Sequence, residues 1–222
     1  MSDDFIREVD EEFRREQIAL LWKKYSNIIY SAIMVIVLVV GGYSYWEHYK
    51  RKTMTDFSSR FSMAIALYQQ DKIQEADAIL EKLMNEADSG YKILSQLRLA
   101  ISYAKKEPAK ALAIYDTISG NEKNDRKWRD LADLRAAKLR IDSEEAEKAI
   151  ASLNVMVSRN SAWRHSAREL LFAYAVEKQD YAQAEKLVED MSSDADLPYT
   201  MRALIEGYRA LAQGGAVGTS QP

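Results

Sequence analysis

Two histidines, His48 and His165, carry the only imidazoles in the chain. His48 lies among Tyr49, Lys50 and Arg51. His165 lies between Arg164 and Ser166, with Glu169 four residues on. A metal site built on one helix needs a second strong ligand one turn away, held with a third elsewhere. His48 has no such partner, and a lone His/Glu pair is common on helix surfaces. The chain has no cysteine, which excludes a thiol nucleophile, a thiolate metal site and a disulfide framework. No G-x-S-x-G, phosphate-loop or G-x-G-x-x-G pattern occurs. Gly214, Gly215 and Gly218 fall beside Ser220 and Pro222, a composition of terminal tails. The pair Glu144-Glu145 fits the start of a helix, where acidic charge meets the positive end of the macrodipole. The residues therefore predict no enzyme, no metal, no cofactor and no small-molecule substrate.

What remains is the chemistry of contact. Tyr68, Tyr103, Trp128 and Arg135 are of the types that dominate protein interfaces, and each falls on a predicted helix. They are the candidate partner-binding residues. The register of those helices is ambiguous by one residue, which turns a helix by about 100°, so each either lines a groove or packs between neighbours. Trp163 is assigned to the core.

The elements that must hold these residues repeat. Ala76/Leu80/Leu83, Ala111/Tyr115/Ile118, Ala146/Ile150/Leu153 and Ala184/Val188/Met191 share one spacing, with 35, 35 and 38 residues between successive alanines. The i, i+4, i+7 pattern places each trio on one helix face, and the small alanine admits a close neighbour. Asp71, Asp142 and Asp180 resemble helix caps, whereas the second unit starts with Glu107-Pro108. Each of these helices follows another apolar one, over 57–70, 91–105, 127–141 and 162–178. A ninth over 199–212, after Pro198, closes the stack. Units of this period stack as helical hairpins.

Ahead of the repeats, residues 25–46 contain no charged side chain. A helix of that length reaches roughly 33 Å, enough for a bilayer core of about 30 Å. Trp22, Tyr25 and Tyr30 precede its most apolar part, and Tyr43, Tyr45, Trp46 and Tyr49 follow it, as in interfacial belts. The acidic leader, the length of the run and the aromatics after it oppose a cleaved signal peptide. Arg7, Arg14, Arg15, Lys23 and Lys24 face Lys50, Arg51, Lys52 and Arg60 across the span, a slight bias toward a cytoplasmic amino terminus. Gly41 and Gly42 are adjacent and give no glycophorin-like dimer face. Phe5, Val9 and Phe13 recur every four residues beside Asp10, Glu11, Glu12 and Glu16. That tail is either a partner-binding helix or a solvated extension of the span. With 31 basic and 34 acidic residues well mixed, a net charge of −3 and a mean hydropathy of −0.38, the rest reads as polar-surfaced and not as a nucleic-acid binder.

The expected fold is all-α: a single transmembrane helix followed by an α-solenoid of about four hairpins plus a capping helix. The expected divisions are an amphipathic acidic tail (1–24), the span (25–46), a juxtamembrane linker (47–56), the repeat domain (57–213) and a disordered tail (214–222). Tyr181, Ala184 and Val188 resemble the second-helix motif of the tetratricopeptide family, although that family's first-helix glycine is missing and only Pro198 approaches its inter-repeat proline. The whole layout, with Gly42-Tyr43-Ser44-Tyr45-Trp46 after the span, is similar to the ancillary subunits of the SecYEG translocon (the YfgM-like proteins). That resemblance implies a bacterial inner-membrane protein with a cytoplasmic amino terminus and a periplasmic domain. It also implies contact with SecYEG, with a membrane-anchored periplasmic chaperone of the prolyl-isomerase type and with nascent secretory chains. A scaffold for envelope assembly or cell division, an accessory to an enzyme or transporter, and an inverted cytoplasmic scaffold stay open beside it.

Overall fold

The structure, a computed structural model, describes residues 2–218 and, within them, every side chain except those of residues 2–21, 26–29, 32, 33, 89 and 215–218. The regular elements of the described residues are all helices: α1 (Ser2–Gln69), α2 (Ile73–Glu86), α3 (Ser89–Tyr103), α4 (Pro108–Gly120), α5 (Arg126–Arg140), α6 (Ala146–Ser158), α7 (Arg164–Glu177), α8 (Tyr181–Ser192), α9 (Tyr199–Arg202) and α10 (Ile205–Gly218). The chain forms two compact units, Met1–Asp56 and Phe57–Pro222.

The first unit consists of the greater part of α1. Met34 to Val40, seven successive apolar residues, are each between 58 and 66% exposed. At about 100° per residue they point to every side of the helix. Trp22, Tyr25 and Tyr30 on one side of that stretch, and Tyr43, Tyr45, Trp46 and Tyr49 on the other, are exposed as well. Among the described residues no helix is long and apolar enough to cross a membrane. The expected span includes residues 26–29, 32 and 33, and the acidic tail includes residues 2–21; those side chains lie outside the described residues. Residues 47–56 are helical as part of α1.

The second unit is a stack in which each helix packs chiefly on the next: α2 on α3, α3 on α4, and so on to α7 on α8, with α10 closing on α8. The repeated trios make its spine. Ala76, Leu80 and Leu83 are fully buried, as are Ala111 and Ile118, with Tyr115 2% exposed. Ala184 and Met191 are likewise buried completely, beside Val188. Burial of each leucine-sized group removes apolar surface worth about 1.5–3 kcal/mol. The clusters run on from one hairpin to the next, and the largest spans α5 to α10.

The third unit departs from the expected register. Ala146 and Ile150 are only half-buried, and the buried trio is Ala149, Leu153 and Met156. From Ala76 to Ala111, Ala149 and Ala184 the steps are therefore 35, 38 and 35 residues. The cause lies in the preceding turn. Arg140, 8% exposed, donates to Asp116 on α4 at 2.6 Å and to Glu145 at 2.9 Å, and Ser143 Oγ accepts from the Glu145 N–H at 3.1 Å. This holds residues 142–145 in a turn, and α6 starts only at Ala146.

The helix ends differ too. Asp180 caps α8 as expected, its carboxylate accepting from the Gln183 N–H at 3.1 Å. Asp142 lies outside α6, and Asp71 caps nothing. Asp71 has φ +60° and closes the helix before it: the Lys72 N–H donates to the Leu67 carbonyl at 3.0 Å. Asn160 (φ +54°) and Gln179 (φ +59°) do the same after α6 and α7, with the Ser161 N–H on Met156 O at 3.1 Å and the Asp180 N–H on Ala175 O at 2.8 Å. Each is a Schellman closure with a side chain where glycine is usual. The single closing helix expected over 199–212 is two. The ladder tightens where the Leu204 N–H reaches Met201 O, and Arg202 turns back onto the carbonyls of Leu197 and Ala195 at 3.0 and 2.7 Å. Ile205 and Ala212 of α10 are then buried, and Tyr208 lies on Phe172 at 4.9 Å between ring centroids. The tail expected from 214 overlaps α10 as far as Gly218 and otherwise lies outside the described residues.

Candidate docking surface

The four candidate residues separate into two kinds. Tyr68, on the last turns of α1, is half-buried and donates its hydroxyl to Asp77 of α2 at 2.5 Å, with the Arg98 guanidinium 4.2 Å above its ring. Asp77 accepts a second bond from Ser102 Oγ at 3.2 Å. Tyr103, at the end of α3, donates to Glu81 of α2 at 2.6 Å and lies under the Lys110 ammonium at 5.3 Å. Burial raises both phenol pKa values, and the carboxylate partner raises each further. Tyr103 also lines a shallow depression with Met84, Leu99 and Ile114. Both tyrosines join neighbouring helices.

Trp128 and Arg135 are of the second kind. Both lie on α5, seven residues apart, and both are exposed. With Leu131 and Lys138 they follow an i, i+3, i+7, i+10 pattern and share one face. That face looks toward α7, with which α5 is in direct contact. Between the two helices lies a cleft of about 210 Å³, floored by Leu131, Leu134 and Leu170, with Trp163 in its wall and Arg135, Lys138 and Glu169 around it. Both α5 and α7 are first helices of their hairpins.

Trp163 contributes in two ways. It is half-buried against the core, and its indole N–H donates to the Lys127 carbonyl at 2.9 Å, tying the starts of α7 and α5 together. Asp130, 4% exposed, holds the same junction by accepting from Ser161 Oγ at 2.5 Å and from Arg159. Glu169 is engaged by the Tyr208 hydroxyl at 2.6 Å. Among the described residues neither Arg135 nor Lys138 has an ion-pair partner. Sequence reasoning passed over Leu131, Lys138 and Leu170, and placed Trp163 in the core alone. The signal for the α5 residues was present in their helical spacing from Trp128.

His165 is 6% exposed, and neither ring nitrogen has a hydrogen-bond partner among the described residues. Burial lowers its pKa from 6.5, and the adjacent Arg164 lowers it further, against an opposing pull from Asp194, whose Oδ2 lies 3.8 Å from Nε2. Asp194 accepts from Arg164 Nε at 3.1 Å and Nη2 at 3.2 Å, and from Arg168 Nη1 at 2.8 Å. Those two guanidinium groups, Arg164 first, hold its carboxyl well below the usual range. The cluster fastens the start of α7 to the loop after α8. Among the described residues no three His, Asp or Glu side chains are grouped to hold a metal.

The model of a family described as a tetratricopeptide repeat-like domain matches residues 20–186. The match takes in the aromatic and apolar stretch of α1, all of α2 to α7 and the first half of α8. Comparison with curated proteins and with solved structures finds no match.

Proposed function

We propose that this chain, which belongs to the tetratricopeptide repeat-like domain family, is a non-catalytic, membrane-anchored docking scaffold. The observation that carries the docking part is the face of α5 on which Trp128, Arg135 and Lys138 stand exposed, the last two at the rim of the α5–α7 cleft that Leu131, Leu134 and Leu170 line. Exposed aromatic and arginine side chains beside an apolar cleft are the anchors that protein partners use. The anchoring part is supported by Met34 to Val40, which present apolar groups on all sides of the helix, each between 58 and 66% exposed. A helix apolar all round calls for an apolar surround. Uncharged sequence over 25–46 and the aromatic groups at its ends supply the length and the interfacial belts of a single span.

Anchoring would act by proximity, raising the local concentration of a docked partner beside a membrane complex. The YfgM-like layout favours the SecYEG translocon as that complex, a periplasmic prolyl-isomerase-type chaperone and emerging secretory chains as partners, and an amino terminus in the cytoplasm.

Photocrosslinking in intact cells from Trp128 and Arg135, each replaced by a photoreactive residue, tests the reading. Translocon subunits or periplasmic chaperones among the adducts are expected. Adducts with envelope-synthesis proteins alone, or with cytoplasmic proteins, would overturn the secretion assignment, and absence of adducts from both sites would overturn the docking face.

A further inference from the structure

We infer that a second copy of this chain docks on the outer face of α10, the two helices packing antiparallel with the leucines of each seated on the glycines of the other. The surface shares no residue with the exposed face of α5 and is independent of the docking reading.

α10 closes the stack with one side only. Ile205 and Ala212 are buried, and Tyr208 lies on Phe172. A second side carries Leu204, Gly207, Ala210, Leu211 and Gly214, all exposed. Leu204 belongs to the same helical turn, because its carbonyl accepts from the Tyr208 N–H at 2.9 Å. At about 100° per residue these five fall within a sector of about 120° that holds no polar side chain. Leu204 and Leu211 are 48 and 56% exposed. A helical stack ends on a polar outer face when it is to stay apart from other molecules. Here Glu206 and Arg209, the charged residues of α10, lie off the stripe and pair with each other at 2.6 Å.

The glycines of the stripe serve nothing within the fold. Neither Gly207 nor Gly214 has a positive φ. A Cβ added at either would meet nothing within 4 Å among the described residues. Each weakens the helix that contains it, and what glycine offers in return is close approach of another backbone. Gly207, Leu211 and Gly214 also keep the i, i+4, i+7 spacing of the buried trios, with a small residue first. Among the described residues no helix covers them.

The order of large and small residues specifies the occupant. Leu204 and Gly214 lie five residues to either side of Arg209, and Gly207 and Leu211 lie two residues to either side. A twofold axis level with residue 209 therefore sets Leu204 against Gly214 and Gly207 against Leu211 in both directions at once. Each leucine enters the gap that a glycine leaves. In a parallel pair leucine would meet leucine, and the glycines would face a void. The Gln213 carboxamide of one copy comes beside Glu206 of the other and can donate to it. Such a contact is isologous and closes on itself. One helix pair is a small interface, so the dimer is a weak one.

The chain has no cysteine, so introduced cysteines report proximity without background. In membranes holding the full chain, oxidation of Ala210→Cys is expected to give a cross-linked dimer, because Ala210 lies beside the axis. Leu204→Cys co-expressed with a differently tagged Gly214→Cys should form the mixed dimer in preference to either self-pair. In a mild non-ionic detergent, sedimentation of the full chain over a concentration series should show monomer in equilibrium with dimer. Leu211→Glu should raise the dissociation constant at least tenfold, since it seats an unpaired carboxylate among leucine and glycine. Gly207→Leu should do the same without lowering the thermal midpoint, because the fold has room for the side chain and the second copy has none. Both positions are exposed, so the circular dichroism of the variants should match the parent. A chain that stays monomeric in membranes and detergent alike overturns the inference. So does a dimer that both variants leave intact, which would assign pairing to another surface. Self-pairs of Leu204→Cys that form as readily as the mixed pair would refute the antiparallel register. Adducts of Ala210→Cys with a different protein in place of a second copy would refute the occupant.

Discussion

The indole N–H of Trp163 donates to the main-chain carbonyl of Lys127 at 2.9 Å, joining the first turns of two helices 36 residues apart in sequence. The bond sets the spacing of α5 and α7 at one end of the cleft. Trp163→Phe keeps most of the ring and removes the donor. It should cost roughly 0.5–1.5 kcal/mol, at the low end because water can reach the released carbonyl. Urea midpoints give the cost. Hydrogen exchange should quicken at the first amides of α5 and α7, and unchanged exchange there would refute the tie.

The register of α6 can be tested by adding bulk. Ala149 is 1% exposed and packed within the largest core cluster, whereas Ala146 is half-buried at the first turn. Ala149→Leu should destabilise by about 1–3 kcal/mol through overpacking. Ala146→Leu should cost much less. The reverse order of the two midpoints would restore the alanine spacing that the sequence alone suggests.

Acid should weaken the domain in two stages. The folded pKa of His165 lies below its ordinary 6.5, so the unfolded chain binds the proton more tightly. Its contribution is fully present above pH 6.5 and is lost as the pH falls toward the folded value. Asp194, held low by Arg164 and Arg168, contributes above pH 3.8 and loses that contribution as the pH falls further. Both signs agree. His165→Phe should flatten the upper stage and leave the lower one in a series of urea midpoints taken from pH 8 down to pH 2. An upper stage that persists in the variant would assign it to another group.

Left-handed residues offer stabilising substitutions. Gln179 and Asp71 have φ near +60°, where a side chain costs roughly 1–2 kcal/mol. Glycine gives back about 0.5–1 kcal/mol of that through unfolded-state entropy. Gln179→Gly should raise stability by about 0.5–1 kcal/mol. Asp71→Gly should gain less, because aspartate tolerates this region better. Equal or negative effects at both sites would count against the closures described above.

The proposed anchor depends on the apolar stretch. Ile36→Asp combined with Val40→Asp places two carboxylates one turn apart near its centre. Each should cost about 2.5–3.5 kcal/mol of insertion. The parent chain should stay with membranes after alkaline extraction, and the double variant should be released. Retention of the variant to the parent's extent would remove the case for a span.

The repeat faces were legible in the sequence because burial of small and large apolar groups leaves a mark at i, i+4, i+7. Ala76, Ala111 and Ala184 with their partners are buried as that spacing requires. Helix ends were less legible. Asp71 and Asp180 are the same residue type before the same kind of helix, but one closes the preceding helix in a left-handed conformation and the other caps the following one. Backbone conformation decides between these roles, and side-chain type does not report it. The α6 offset was invisible because it follows from Arg140 meeting Asp116, 24 residues away. The candidate surface was half legible. Trp128 and Arg135 are exposed on one helix face, whereas Tyr68 and Tyr103 are committed to Asp77 and Glu81 on a neighbouring helix. Which face of a first helix stays open is set by such cross-hairpin bonds, and periodicity carries no record of them.

Packing restricted to successive helices has a consequence for how the domain comes into being. Each hairpin finds most of its partners among residues made just before it, so little chain must wait unpaired while distant sequence arrives. Such low contact order favours fast folding and lets structure advance with the chain as it is delivered. The pairing of α1 with α2 is available once Glu86 has emerged, and every later helix docks on a surface already in place. Asp194 then closes on Arg164 and Arg168, and α10 seals the open end last, with Tyr208 reaching Glu169. A chain stalled before Asp194 would present a finished amino-terminal stack and a frayed α7, the state in which quality-control proteases would find it.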